Sequence, residues 1–282
     1  MRLSKLLIFL LVASVFVFAE DNKDKKPEYG WKKETVGILN FSQTQFDNWT
    51  RGGENSWLIQ ADINAKFIKD MASYNWSSSA KLSYGMTQIG NENSKKAADE
   101  INLETVYTYK LLESINPYAS ATMRSQFTTG YDYTADPKVA ISAFMDPGFF
   151  TESIGLSYTK GELLVVRLGA ASKQTITDKY NGYTDDPATT EIEKTKIQFG
   201  MESNAELKWK ITETILFNSK LLLFSDLSAL NKVDVDWDNV FSAKIAEYIV
   251  VSYTFNLFYN NTFSKKRQIR QVLAVGLSYS LF

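Results

Sequence analysis

Residues 195–209 alternate between apolar and polar side chains. The odd positions carry apolar residues, among them Ile197, Phe199 and Met201, and the even positions carry polar ones such as Glu202. A period of two places neighbouring side chains on opposite faces of a β-strand, whereas a helix would scatter them around its circumference. The pattern predicts a strand with one apolar and one polar face.

Segments with this alternation recur along the whole chain. Twelve of them lie at residues 35–46, 56–69, 74–88, 100–110, 117–130, 150–159, 163–175, 194–209, 214–224, 233–245, 249–259 and 270–282. The segment 214–224 fits least well, because Leu216, Leu222 and Phe224 fall on its otherwise polar face. Many regularly spaced strands predict an all-β fold, and the lack of a Gly/Ser-rich linker predicts a single domain.

The links between these segments alternate in length. The links after the second, fourth, sixth, eighth and tenth segments are short, and the links after the other segments are longer, with 131–149 and 176–193 the longest. Short and long links therefore fall at opposite ends of the sheet. This arrangement is typical of outer-membrane barrels, which have short periplasmic turns and longer external loops.

Aromatic residues on the apolar faces distinguish a membrane barrel from a soluble one. Trp76 and Trp209 lie at the short-link ends of their strands, Trp57 and Trp237 lie at the long-link ends, and the positions between are mostly aliphatic or small. Trp and Tyr rings favour the boundary between acyl chains and headgroups, whereas a soluble core gives no reason for this sorting. The sequence predicts a single transmembrane antiparallel up-and-down β-barrel of about twelve strands.

The N-terminal segment predicts export. Arg2 and Lys5 precede an apolar stretch at 6–19, which is shorter than the roughly 20 residues that a spanning helix needs and matches a secretory signal. We expect a signal peptide at 1–19 cleaved after Ala19, a flexible periplasmic lead-in at 20–33, and a barrel at 34–282. The expected location is the outer membrane of a Gram-negative cell.

Composition narrows the chemistry further. The chain has no His and no Cys, and its 31 Lys and Arg balance 32 Asp and Glu. These counts exclude disulfides and thiolate metal sites, remove the usual general base, and argue against nucleic acid as a partner. We expect no catalytic residue, no cofactor and no metal site, with an enzyme using a carboxylate pair or an external Ser as the alternative.

The residues Asp234, Asp236 and Asp238 have the spacing of a calcium loop. Positions 239 and 245 would then need Gly and Glu, but they hold Asn239 and Ile245. We therefore expect an acidic patch on the rim or on the inner wall of the barrel.

The polar faces of the strands form the predicted inner wall. The charged residues expected to line the lumen are Lys81, Glu104, Arg124, Arg167, Glu202, Glu206 and Lys220. Both signs are present, so two interpretations stay open: charges that pair across the barrel and plug it, or charges that line a narrow wet passage. Twelve strands lie between the filled barrel of eight strands and the open pore of sixteen.

A dense polar motif lies between the first two strands. It reads N-F-S-Q followed by N-W-x-x-G-G-x-N-S, and its residues of interest are Asn40, Ser42, Gln43, Asn48, Trp49, Gly52, Gly53 and Asn55. The glycines supply the positive φ that a reversal between strands needs. Two roles stay open for the motif, a well-formed hairpin with a hydrogen-bonded wall and a ligand contact site.

This motif resembles that of an uncharacterised family of outer-membrane barrels from Bacteroidetes-type bacteria, grouped as a domain of unknown function. The resemblance implies a location and a fold, and it brings no activity, substrate or site.

The leading functional hypothesis is a narrow channel or uptake protein for small polar solutes. The alternative is a structural or binding barrel that presents its external loops, including Tyr131 and Tyr133, to a partner. The expected partners are outer-membrane lipid and lipopolysaccharide, the barrel-assembly machinery during biogenesis, and a small polar solute.

Overall fold

The structure, a computed structural model, describes residues 29–48, 53–186, 188–230, 232–260 and 266–280. Its strands are β1 (Gly30–Thr44), β2 (Ser56–Asp70), β3 (Tyr74–Ile89), β4 (Lys95–Tyr109), β5 (Ile115–Ser125), β6 (Gly130–Asp132), β7 (Val139–Ser142), β8 (Gly148–Lys160), β9 (Leu164–Ile176), β10 (Thr195–Lys210), β11 (Ile215–Asp226), β12 (Val233–Lys244), β13 (Ile249–Tyr259) and β14 (Gln268–Ser280). In this part of the chain no helix is both long enough and apolar enough to cross a membrane.

Twelve of these strands close into one antiparallel barrel. The order around it is β1-β14-β13-β12-β11-β10-β9-β8-β5-β4-β3-β2. The seam pairs β1 with β14, from Val36 opposite Ser280 to Phe41 opposite Val275. Closure pairs the first and last strands with each other, as a membrane-spanning sheet requires because lipid offers no hydrogen bonds. The predicted fold and strand number are confirmed.

Two predicted strand boundaries were wrong near the ends of the barrel. β1 begins at Gly30, so residues 30–33 belong to the wall and not to a lead-in. β4 begins at Lys95, so the link 90–94 is as short as a turn on the other end. In both places backbone pairing continues past the apolar middle of the strands towards the headgroup region, and the alternation that predicted the strands fades there. The predicted signal peptide lies outside the described residues.

The longest link folds into structure of its own. The barrel strand predicted at 117–130 ends at Ser125. The chain then forms a separate two-stranded sheet from β6 and β7 before returning to the wall at Gly148. This small sheet stands at the long-loop end of the barrel.

The outer face of the barrel is apolar and exposed. Aliphatic positions such as Ile63 and Met201 are exposed in the middle of their strands, and Trp76 and Trp209 are exposed near the short turns. Trp237 and Tyr84 are exposed towards the long loops. An aliphatic belt between two aromatic girdles is the surface that lipid requires. The chain is therefore a membrane-spanning barrel of the outer-membrane type.

Ion pairs across the lumen indicate that the barrel is flattened. Lys81 on β3 contacts Asp238 on β12, five strands away around the wall. A circular barrel of twelve strands, with a spacing of about 4.8 Å and a tilt of about 40°, would be roughly 24 Å across. Extended Lys and Asp side chains cannot cover that distance, so the two walls approach each other here.

Close-packed glycines lie where a flattened barrel must bend. Gly155 on β8 lies opposite Gly169 on β9, midway between the approaching walls, and a Cβ on either would overlap backbone of the other strand. At the opposite bend, Gly276 on β14 leaves room for Asn40 on β1. These glycines allow neighbouring strands to approach each other closely at the two bends of the flattened barrel.

Candidate functional site

The inner wall is the part of the molecule with chemistry to offer. Alternation points every second side chain of each strand into the lumen. The structure places all seven of the predicted lumen residues there: Lys81, Glu104, Arg124, Arg167, Glu202, Glu206 and Lys220. Six of them form ion pairs, and five of these six pair across or partly across the lumen with a strand that is not their neighbour.

The first group of ion pairs lies towards the short turns and is called the turn-side network. Arg167 on β9 donates to Glu104 on β4 at 2.6 Å and to Glu206 on β10 at 2.8 Å. Lys220 on β11 also contacts Glu104, and it lies 3.4 Å from Glu206. The side chain of Arg167 is only 5% exposed and that of Glu104 only 9%. Two cations and two carboxylates thus tie together four strands.

The wall behind Arg167 is polar and closely packed. The ring of Tyr118 lies 5.8 Å from its guanidinium, and the Tyr118 hydroxyl shares a 2.6 Å hydrogen bond with Ser153. Glu202 is buried beside this group. Asn204, opposite Arg167 in register, is fully buried, and within the described residues neither atom of its amide has a partner. A buried water can supply hydrogen bonds to an amide in such a position.

The second group lies nearer the long loops and is called the loop-side network. Lys81 contacts Glu100 at 2.9 Å and Asp238 at 3.4 Å, and Arg124 on β5 contacts Asp236 on β12. The side chains of Lys81 and Arg124 are 36% and 34% exposed, although they lie inside the barrel. These charged groups therefore border open space inside the barrel where the two walls approach.

The three aspartates of β12 each hold a cation. Lys173 on β9 donates to Asp234 at 2.6 Å and lies 5.1 Å from the ring of Phe224, while Asp236 and Asp238 hold Arg124 and Lys81. The three aspartates line the inner wall, which is one of the two positions expected from the sequence for this acidic patch. Across the described ranges, no three acidic side chains converge on a position for a metal ion.

Three lumen residues were missed by the sequence analysis, namely Glu100, Lys173 and Arg270. Glu100 pairs with Lys81, Lys173 pairs with Asp234, and Arg270 donates to Gln60 at 3.0 Å. Each lies on the polar face of a predicted strand. Parity alone could have found them.

The two longest external links are tied together above the lumen. The carboxylate of Asp146 accepts hydrogen bonds from the backbone of Asp178 at 2.9 Å, Lys179 at 2.7 Å and Tyr180 at 3.2 Å. Asp146 is itself buried. This contact fixes the end of link 126–147 against the start of link 177–194.

Link 177–194 also reaches into the mouth of the barrel. Tyr183 packs edge-on against Phe149, with 5.2 Å between ring centres, and Phe149 lies opposite Arg124 on the inner wall. Burial raises the pKa of Tyr183 to about 12. A tyrosine therefore covers the lumen just above the loop-side network.

Tyr131 and Tyr133, proposed from the sequence to meet a partner, contact other parts of the external links. Their rings lie 6.1 Å apart, Lys138 lies 4.3 Å from the ring of Tyr131, and the hydroxyl of Tyr133 accepts from the backbone of Lys96. Both side chains are partly exposed.

The motif between β1 and β2 forms a hydrogen-bonded reversal. Asn40 faces inward and donates to Asp62 at 3.0 Å, and the side chain of Asn55 accepts from the backbone of Phe46 at 2.7 Å. Gly53 has a φ of +127°, so the predicted positive φ occurs at this glycine, and Asn48 also has a positive φ, of 52°.

The remaining motif residues are split between the two faces of the barrel. Ser42 shares the inner face with Asn40, whereas Gln43 points outward and lines a small polar groove at the outer rim. Trp49 and Gly52 lie outside the described residues.

Several solved barrels resemble this structure at low identity. The translocator domain of the autotransporter NalP from Neisseria meningitidis is 9% identical, with 91% of this chain and 90% of that chain covered and a TM-score of 0.39. The COG4313 outer membrane channel from Pseudomonas putida F1 is 7% identical, with 93% of this chain and 99% of that chain covered and a TM-score of 0.41. The NanC porin is 9% identical over 86% and 98%, with a TM-score of 0.42.

No curated protein matches the chain in sequence. Residues 41–131 match the model of a family described as a protein of unknown function (DUF3078), in agreement with the uncharacterised family that the motif resembles.

Proposed function

We propose that this barrel is a narrow passage for small polar solutes across the outer membrane, and that the loop-side network is its constriction. The observation that carries the proposal is the exposure of Lys81 and Arg124, each about one third open to solvent inside a closed barrel. Charges that were fully desolvated would favour a plug. Charged side chains that stay hydrated are typical of the lining of a passage.

The constriction suits solutes that can exchange hydrogen bonds with both signs of charge. Lys81 and Arg124 face Asp238 and Asp236 across the gap. A passing solute or ion finds a partner of either sign, and it leaves again because the pair re-forms behind it. This arrangement favours small polar solutes without a strong preference for one charge.

A second candidate, a closed structural barrel, is favoured by the turn-side network. Arg167 and Glu104 are almost fully buried, and such pairs hold walls together. The external links tied by Asp146 would add to closure.

Conductance of the purified protein in planar bilayers tests the proposal. Replacing both members of the cross-lumen pair, as Arg124→Ser with Asp236→Ser, removes the tie without leaving an unpaired charge, so the conductance should rise. The matched control is Lys194→Ser with Asp178→Ser, which removes an exposed pair of 2.6 Å in an external link. The control should behave like the native protein. Absence of conductance in both the native protein and the lumen variant would favour the structural barrel.

The proposal includes export and maturation. N-terminal sequencing of the protein in the outer-membrane fraction should start at Glu20. Recovery of the protein in the soluble periplasmic fraction would contradict this part.

A further inference from the structure

The outer face of the barrel carries a groove at the short-turn end of β1, β2 and β3. Its volume is about 290 Å³, and it is lined by Trp31, Lys33, Phe67, Trp76 and Ser78. Cross-strand pairing explains this composition. Trp31, Lys69 and Trp76 form one row across the three strands, and Lys33, Phe67 and Ser78 form the next row towards the membrane centre.

The side chains of the groove are fixed by contacts within the sheet. The indole of Trp76 donates to Thr105 at 2.8 Å, and Thr105 shares a 2.9 Å hydrogen bond with Ser78. Lys69 lies 5.8 Å from the centre of the Trp31 ring. Trp31 and Trp76 nevertheless remain exposed on the side that faces lipid.

Two positive charges at this place are unusual. Lys33 and Lys69 both lie on the lipid-facing side of the wall, and in the described part of the chain neither has a carboxylate within 4.0 Å. Lys81 and Lys173 on the inner wall, by contrast, each contact at least one carboxylate. A charge at headgroup depth costs little, and lysines at that depth attract the anionic headgroups of the membrane. The two lysines and the aromatic residues of the groove are therefore placed to meet such a headgroup.

We propose that this groove binds an anionic phospholipid of the leaflet on the short-turn side. Its phosphate lies between Lys33 and Lys69, and one acyl chain lies along Phe67 and Trp76. Aromatic residues at headgroup depth and basic residues beside them are the chemistry that recognises such a lipid. The inference goes beyond the proposed passage and does not depend on whether the lumen conducts.

Native mass spectrometry of the full mature protein tests the site. The protein is reconstituted in vesicles of equal parts phosphatidylethanolamine and phosphatidylglycerol, then extracted, and the retained lipid is measured. The native protein should retain phosphatidylglycerol in preference. Lys33→Gln with Lys69→Gln should weaken this retention about 30-fold, the loss expected for two interfacial lysines. Lys33→Arg with Lys69→Arg should keep it.

The matched control removes two lysines from the same end of the barrel. Lys208 and Lys210 are exposed at the end of β10, away from the groove, and Lys208→Gln with Lys210→Gln should leave retention unchanged. Equal retention of both lipids by the native protein would overturn the proposal, and this comparison needs no variant. Equal losses in the groove and control variants, or displacement of the lipid by inorganic phosphate, would also overturn it.

Discussion

The surroundings of Arg167 and of Lys81 contain the same chemistry in different environments. Arg167 is 5% exposed and sits between Glu104 and Glu206, whereas Lys81 is 36% exposed between Glu100 and Asp238. Removing a buried cation leaves its carboxylate partners as unpaired buried charges, which lowers stability strongly. Water can take the place of a solvent-exposed cation, so its removal changes stability little. We therefore expect the surroundings of Arg167 to hold the walls together and those of Lys81 to stay hydrated.

The largest effect is expected for Arg167→Ala. It leaves Glu104 and Glu206 with only Lys220, so the free energy of unfolding should fall by about 3 to 5 kcal/mol. Urea unfolding in detergent micelles, followed by the change in gel mobility, measures this. The comparison variant is Lys81→Ala, which should cost about 1 kcal/mol or less. Equal losses in the two variants would abolish the distinction between the regions.

The next effect tests whether the inner wall is the wet side of the barrel. Met201→Lys places a charge on the exposed aliphatic belt and should lower stability by about 2 to 4 kcal/mol. Ser79→Lys places the same charge on the inner wall of β3 and should be mild. Both variants are compared by the same unfolding assay. A reversed order would mean that the faces are exchanged.

A smaller effect on stability is expected when a cross-lumen ion pair of the loop-side network is removed. Arg124→Ser with Asp236→Ser should change stability little, since no unpaired charge remains, yet it should raise conductance. A loss of stability as large as that of Arg167→Ala would mean that Arg124 holds the walls together in the same way as Arg167. Stability and conductance are to be measured on the same preparation.

The smallest effect concerns the cover over the mouth. The pKa of Tyr183 is raised from 10.0 to about 12 because its ring is buried. A raised folded pKa means that the packing of this tyrosine is fully present below about pH 10 and is lost as the pH rises towards 12. Absorbance at alkaline pH should show late ionisation of Tyr183, and Tyr183→Phe should reduce the late step by one tyrosine. A late step of unchanged size in Tyr183→Phe would place the residue outside the mouth.

The sequence determined the wall of the barrel because lipid acts on each strand locally. Every outward residue within the membrane must be apolar and every inward one can be polar, so alternation identified twelve strands and the seven lumen residues by parity. The alternation fades at strand ends near the headgroup region, where Gly30–Lys33 and Lys95–Asp99 continue the backbone pairing. Those strand ends could not be read from the pattern.

Only the tertiary structure decided which charges meet. Lys81 reaches Asp238 and Lys220 reaches Glu104 because the barrel is narrow between β3–β5 and β11–β12. The distance between these two walls depends on the whole ring of strands. The same holds for the contact of Asp146 with link 177–194 and for the lipid-facing groove. Parity fixes the face on which a residue lies, whereas its partner depends on register, curvature and closure.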